Sequence, residues 1–264
     1  MQSWLEQALS SRFQEWSYEE TIKAKMLFLE YLGQGFAKRE DEEGKRLIEH
    51  LEAFGGEGQA TLFAGTEMAP APLAAFGNGM LTDAPLVFPA VLAAIEQGNK
   101  GGPDLLAALV AGLEASYRMG DHPQAELFGA LLGVANAFEL DLEGWEVLLG
   151  LVLREGRTVP DAKLARGQLA QEIVVAGGLA RDEWSRAAVS RQALPADWME
   201  ALQRTADKPG MNSFLMAAEV NADLKISDFR ELAEGKLPTH FIEYYVDAVM
   251  GLEDICCIPL FFRR

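Results

Sequence analysis

Three groups of polar side chains stand at breaks in an otherwise apolar, helical pattern: Asn78, Thr82 and Asp83; Arg118, Asp121 and His122; and Asp161, Lys163 and Arg166. Helix ends in a bundle converge on shared clefts, so groups of this kind can meet around one small molecule. An imidazole such as that of His122 exchanges protons near neutral pH, and Lys163 can neutralise a carboxylate or, if desolvated, act as a base. Each also has a plain structural reading. Asp121 and Asp161 stand where helix caps stand, and Lys163 fits a solvated surface charge. Spacing alone names no reaction.

Other chemistries lack their residues. The three histidines, His50, His122 and His240, belong to no H-E-x-x-H or Cys/His ligand pattern, so no metal site is expected. There is no Walker A sequence, no G-x-G-x-x-G after a strand and no G-x-S-x-G elbow. The two cysteines, Cys256 and Cys257, are adjacent and provide neither a disulfide framework nor a four-thiolate site. They read as buried thiols in a reducing compartment. With 40 Asp and Glu against 23 Lys and Arg, the formal charge is −17, which repels phosphate backbones and anionic lipid surfaces. Nucleic acid and membrane are therefore not expected partners. The first residues lack a basic region followed by an apolar run, and no 18-residue apolar stretch occurs, so a cytoplasmic protein is expected.

The elements that would position the polar groups are helices. Hydrophobic residues make up 49% of the 264, enough for one large core. Tyr18 to Gly33 is amphipathic, with Ser17 and Glu20 forming a capping box and Gly33 as the stop. Glu40 to Phe54 is a second helix, and the small-residue stretch Met68 to Met80 belongs inside. Further helices are predicted over Phe88 to Gln97, Pro103 to Met119, Gln124 to Phe138, Gly144 to Arg154, Asp161 to Gly177 and Asp182 to Gln192. Leu194 to Asp223, with Pro195, Pro209 and Gly210, is the least regular part. Ser227 to Glu234 and Phe241 to Leu252 close the chain as helices, and Ile255 to Phe262 reads as an edge strand or extended tail. The expected fold class is all-α, a single globular multi-helix bundle: a helical domain over residues 1–190, an irregular connector over 191–226, and closing helices over 227–264 packed on the same domain.

From Lys25 to Trp184 the order of segments resembles the helical domain of the MmgE/PrpD family, which includes 2-methylcitrate dehydratases, cis-aconitate decarboxylases and iminodisuccinate epimerases. Ala74-Ala75-Phe76-Gly77-Asn78-Gly79 is similar to the family's A-A-x-x-N-G, and Phe88 to Glu96 to its P-A-x-L-A-x-A-E. Leu109 to Glu114 with Arg118 is similar to V-x-G-Y-E followed by R, and Gly120-Asp121-His122-Pro123-Gln124 to G-x-H-P-T. Asp161 to Gly167, running into Ala176-Gly177-Gly178-Leu179, is similar to the lysine-bearing helix and its A-x-x-G-L-x-G end.

The resemblance implies a compact lyase or isomerase that acts on a small carboxylate-bearing substrate by proton transfer, without a cofactor, as a homodimer. It nominates His122, Lys163 and Asp83 as catalytic and Asn78, Thr82 and Arg118 as substrate-binding; Arg118 also fits a helix-terminal salt bridge. Two departures point elsewhere. The family's H-x-x-D-x-D-D loop after N-G is missing, since Thr82-Asp83-Ala84 runs straight into Pro85. The family's α/β lid is missing too, and a cleft without a cover admits water. The alternatives are a degenerate helical scaffold that pairs with itself or a relative, and a lidless enzyme for a larger, less polar substrate held by Met80, Phe88 and Phe128.

Overall fold

The computed structural model describes residues 2–13, 16–39, 41–63, 68–153, 158–182, 191–205 and 213–262. It is all-α, a single globular bundle in which the only sheet among the described residues pairs two residues with two. In chain order the elements are α1 (Gln2–Leu9), α2 (Tyr18–Ala37), α3 (Glu42–Glu52), β1 (Ala60–Thr61), β2 (Met68–Ala69), α4 (Ala71–Leu81), α5 (Val87–Gln97), α6 (Gly102–Met119), α7 (Ala125–Ala137), α8 (Leu142–Val152) and α9 (Lys163–Arg181). α10 (Ala196–Arg204), α11 (Ser213–Ala217), α12 (Ala222–Ala233), α13 (Thr239–Met250), a 3-10 turn (Leu252–Asp254) and α14 (Ile258–Phe262) follow.

α2 starts as its sequence predicts. The Ser17 amide donates to Glu20 Oε2 at 2.7 Å while the Glu20 amide donates to Ser17 Oγ at 3.2 Å, satisfying two amides that have no helical partner. Gly33 does not stop the helix, which runs on to Ala37. A Cβ on Gly33 would press on Leu232 and Phe229 of α12, and one on Gly35 would overlap the Phe63 ring. These glycines trade about 1 kcal/mol of helix propensity each for close packing on both sides.

The interior is built by helices that meet through small residues. α4 buries Ala71, Ala74, Ala75, Gly77 and Gly79, and crosses α9 where a Cβ on Gly167 would lie 2.6 Å from Phe76 O. α6 and α7 touch backbone to backbone at Gly112 and Gly129. α5, apolar on every side over Val87–Ile95, is enclosed among α4, α6, α7 and α9.

The stretch read as irregular is partly helical. In α10, Trp198, Ala201 and Leu202 are spaced to share one face, and that face is buried. Trp198 meets Phe128 edge to face at 5.0 Å, and its Nε1 donates to Gln124 Oε1 at 2.7 Å. The C-terminal segment is a helical turn, not a strand: the Ile258 amide donates to Lys100 O and the Gly102 amide to Ile255 O, which pins the chain end to the α5–α6 junction. Pro259 at the first turn of α14 suits a helix start better than a ladder. The thiols in this segment are not buried as expected. Cys256 is exposed and Cys257 half-buried, because they lie in the surface link between the 3-10 turn and α14, and it is Ile258 that enters the core. The buried Lys25 of α2 ties the segment down by pairing with Glu253 and donating to Met250 O. Most of the helix expected over Asp182 to Gln192 lies outside the described residues. No helix among the described residues is long and apolar enough to cross a membrane.

Candidate functional site

The three polar groups are carried to one end of the bundle. α4 ends at Leu81, α7 begins at Ala125 and α9 begins at Lys163, and a single ion pair joins all three ends. Arg166, in the first turns of α9, holds Glu126 of α7 in a two-pronged contact, Nη2 to Oε1 at 2.6 Å and Nη1 to Oε2 at 3.2 Å. The same guanidinium donates to Ala84 O at 3.0 Å, and the Leu86 amide donates to Glu126 Oε1 at 2.6 Å. The α4–α5 loop is thus bound to both helices. Glu126 suits this place because the N-terminal ends of α5 and α7 both favour negative charge.

Around this knot the nominated side chains point to different neighbours. His122 lies between α6 and α7, where its Nδ1 accepts from the Gln124 amide at 3.2 Å and its Nε2 faces Asp197 Oδ2 of α10 at 3.3 Å. With Nδ1 accepting, the imidazole proton of the neutral ring sits on Nε2 and is directed at that carboxylate. Neither ring nitrogen then offers a lone pair to a substrate. Lys163 turns the other way, to Glu43 Oε2 of α3 at 3.4 Å, and is 38% exposed. The imidazole and the ammonium face two carboxylates on two different elements.

The remaining nominees divide between core and solvent. Asn78 is buried in α4, where Oδ1 accepts from the Phe63 amide at 3.0 Å and Nδ2 donates to Thr61 O at 2.7 Å, so that it fastens the strand segment to the helix. Buried Thr82 donates from Oγ1 to Asn78 O at 2.9 Å and closes the last turn of α4. Asp83 is exposed in the loop that follows. Arg118 is buried at the end of α6: Nε donates to Glu114 Oε1 at 2.7 Å, Nη2 reaches Ser213 Oγ at 3.3 Å, and the guanidinium lies over the Trp4 ring at 5.2 Å. This is the helix-terminal salt bridge that the i, i+4 spacing allows. Burial pushes the Glu114 carboxyl above its ordinary range, and the Phe214 amide and Arg118 pull against that rise.

Asp121 and Asp161 cap nothing, because the N-cap positions of α7 and α9 are Gln124 and Ala162. The residues that organise this end, Glu126, Gln124, Asp197 and Glu43, carried no signal beyond being polar. Among the described residues no three His, Cys, Asp or Glu side chains are grouped to hold a metal ion.

Beside the knot, between α3, α4 and α9, lies a hollow of about 510 Å³ with Leu47, Phe76, Met80 and Leu164 as its floor and Glu43 and His50 on its rim. Met80 thus faces open space, whereas Phe88 and Phe128 are buried in the core. No family model and no curated protein matches the chain.

Proposed function

We propose that this chain is a helical scaffold that works by pairing, with a second copy as its partner, and that it does not turn over a small carboxylic acid. One observation carries the reading: each basic side chain nominated for a substrate already faces a carboxylate, His122 that of Asp197, Lys163 that of Glu43 and Arg118 that of Glu114. An acid entering between His122 and Lys163 would have to displace two carboxylates that face these side chains, and the energy of doing so is subtracted from its binding. Asn78 and Thr82 have hydrogen-bond partners within the fold. The resemblance to the helical domain of MmgE/PrpD proteins then describes an architecture kept for its surface.

A second reading, a compact MmgE/PrpD-like lyase or isomerase, is favoured by the convergence of the α4, α7 and α9 ends. The two readings separate in one assay. Purified protein is incubated with 2-methylcitrate, citrate and cis-aconitate, followed by NMR, while its mass in solution is measured by light scattering. The scaffold reading expects a dimer and no conversion. Conversion that is lost in His122→Ala would overturn it in favour of the enzyme.

A further inference from the structure

The two cysteines are adjacent, and the fold sets them between two fixed points. The Gly102 amide donates to Ile255 O at 2.7 Å, and the Ile258 amide donates to Lys100 O at 2.8 Å. Cys256 and Cys257 are the only residues between these two bonds, which pin the segment to the α5–α6 junction. The junction leaves no slack behind the pair. A Cβ on Gly101 would lie 2.7 Å from Ile255 O and 3.2 Å from Cys256 O, and one on Gly102 would overlap Leu252 O. Beyond the second bond, Ile258 and Phe261 of α14 are buried, Phe261 with its ring 5.5 Å from that of Tyr245. A change in the shape of the Cys256–Cys257 unit is therefore passed to the seat of α14.

The thiols differ in access: Cys256 is exposed and Cys257 half-buried. Exposure favours Cys256 as the thiol that meets a reagent, with Cys257 next to it to resolve the product. Adjacent Cα atoms across a trans peptide are about 3.8 Å apart, whereas a disulfide is relaxed with Cα atoms roughly 4.4–6.8 Å apart. A bond between the two sulfurs thus closes a strained ring that a thiol readily reopens. Asp254 is exposed two residues before Cys256, in a chain of charge −17, so a cationic disulfide meets less repulsion than an anionic one.

We infer that Cys256 and Cys257 form a reversible dithiol site that is oxidised by small organic disulfides and that loosens α14 when its ring closes. The site does not depend on the pairing of two copies. The Cys256 thiolate, its proton given to water, attacks one sulfur of the external disulfide and expels the other as a thiolate. Cys257, deprotonated in turn, attacks Cys256 Sγ and expels the second thiolate. Two protein thiols are oxidised by two electrons, and one external disulfide is reduced to two thiols.

Cystamine is the probe, added to the full chain and followed by intact mass. The wild type should lose two hydrogens and keep no adduct, and dithiothreitol should restore it. Cys257→Ser should hold cysteamine as a mixed disulfide, and Cys256→Ser should react about tenfold more slowly than Cys257→Ser. Hydrogen exchange at the Gly102 and Ile258 amides should become about tenfold faster once the ring closes. Cys256→Ser/Cys257→Ser treated in the same way should show no change. A wild type that stays reduced, keeps cysteamine or joins a second copy through a disulfide overturns the dithiol site. Equal rates for the two single variants overturn Cys256 as the attacking thiol, and a closed ring with unaltered exchange at both amides overturns the coupling to α14.

Discussion

Glu114 shows how this chain treats a charge that water cannot reach. The carboxylate is fully buried, and it survives there because Arg118 Nε lies at 2.7 Å and the Phe214 amide donates to Oε2 at 2.6 Å. Glu114→Ala would leave the Arg118 cation and the Phe214 amide without that partner, at a cost of about 3–5 kcal/mol. Urea denaturation of the variant measures it, and the shift should far exceed that of any exposed pair such as Arg204 with Glu200.

The response to pH follows from residues of opposite sign. Hydrogen bonds from Lys38 and Lys236 hold Asp41 below its ordinary range, Lys100 does so for Glu139, and Arg230 for Glu243. A carboxyl lowered in the folded state stabilises when ionised; that contribution is present above the ordinary carboxylate range and drains away as pH falls through the lowered values. Glu114 is raised, so its ionisation costs stability, and acid relieves that cost. With Glu253, whose burial raises it but which Lys25 brings below its ordinary range on balance, four lowered carboxyls against one raised predict that Tm falls between pH 6 and about pH 3, and that the fall is steeper in Glu114→Gln, which lacks the opposing group. At this scale the sequence was legible only where partners are local. Arg118 with Glu114 is an i, i+4 pair, but the partners of Asn78 arrive on a hairpin, and Asp197 arrives on α10 from beyond the α9 helix.

Among the elements, packing decides where propensity is neutral. Gly167 and Gly178 lie in the same helix, yet a Cβ on Gly167 would meet Phe76 O at 2.6 Å and one on Gly178 would meet nothing. Gly167→Ala should lower Tm, whereas Gly178→Ala should raise stability by up to about 1 kcal/mol, the helix-propensity gain alone. Thermal denaturation of the two variants reads both signs. Helices whose apolar periodicity is long and capped, such as α2 and α6, could be placed from the sequence. Gly33 could not be told from a stop, because the close approach of α12 that requires it comes from nearly two hundred residues later. α10 was hidden by its flanking prolines although Trp198, Ala201 and Leu202 mark its buried face, and Ile255 to Phe262 is too short for its period to separate a strand from a helical turn.

For the whole molecule, the charged residues that interrupt the apolar pattern act as struts between helix ends. Arg166 with Glu126 joins α9, α7 and the α4–α5 loop, His122 with Asp197 joins the α6–α7 turn to α10, and Lys163 with Glu43 joins α9 to α3. All-α architecture was readable because alternation of apolar and polar residues at helical spacing dominates the chain; the direction in which each polar side chain turns was not, since it depends on elements brought near only by folding. The strut role of these pairs is tested most directly by a two-dimensional NMR titration of the ¹⁵N-labelled protein with citrate and cis-aconitate, following the His122 ring and the amides around Lys163. Side chains engaged as struts should give no saturable shift at either position. Shifts at both that saturate together, and that vanish in Lys163→Ala, would contradict that role by placing the two side chains on one ligand.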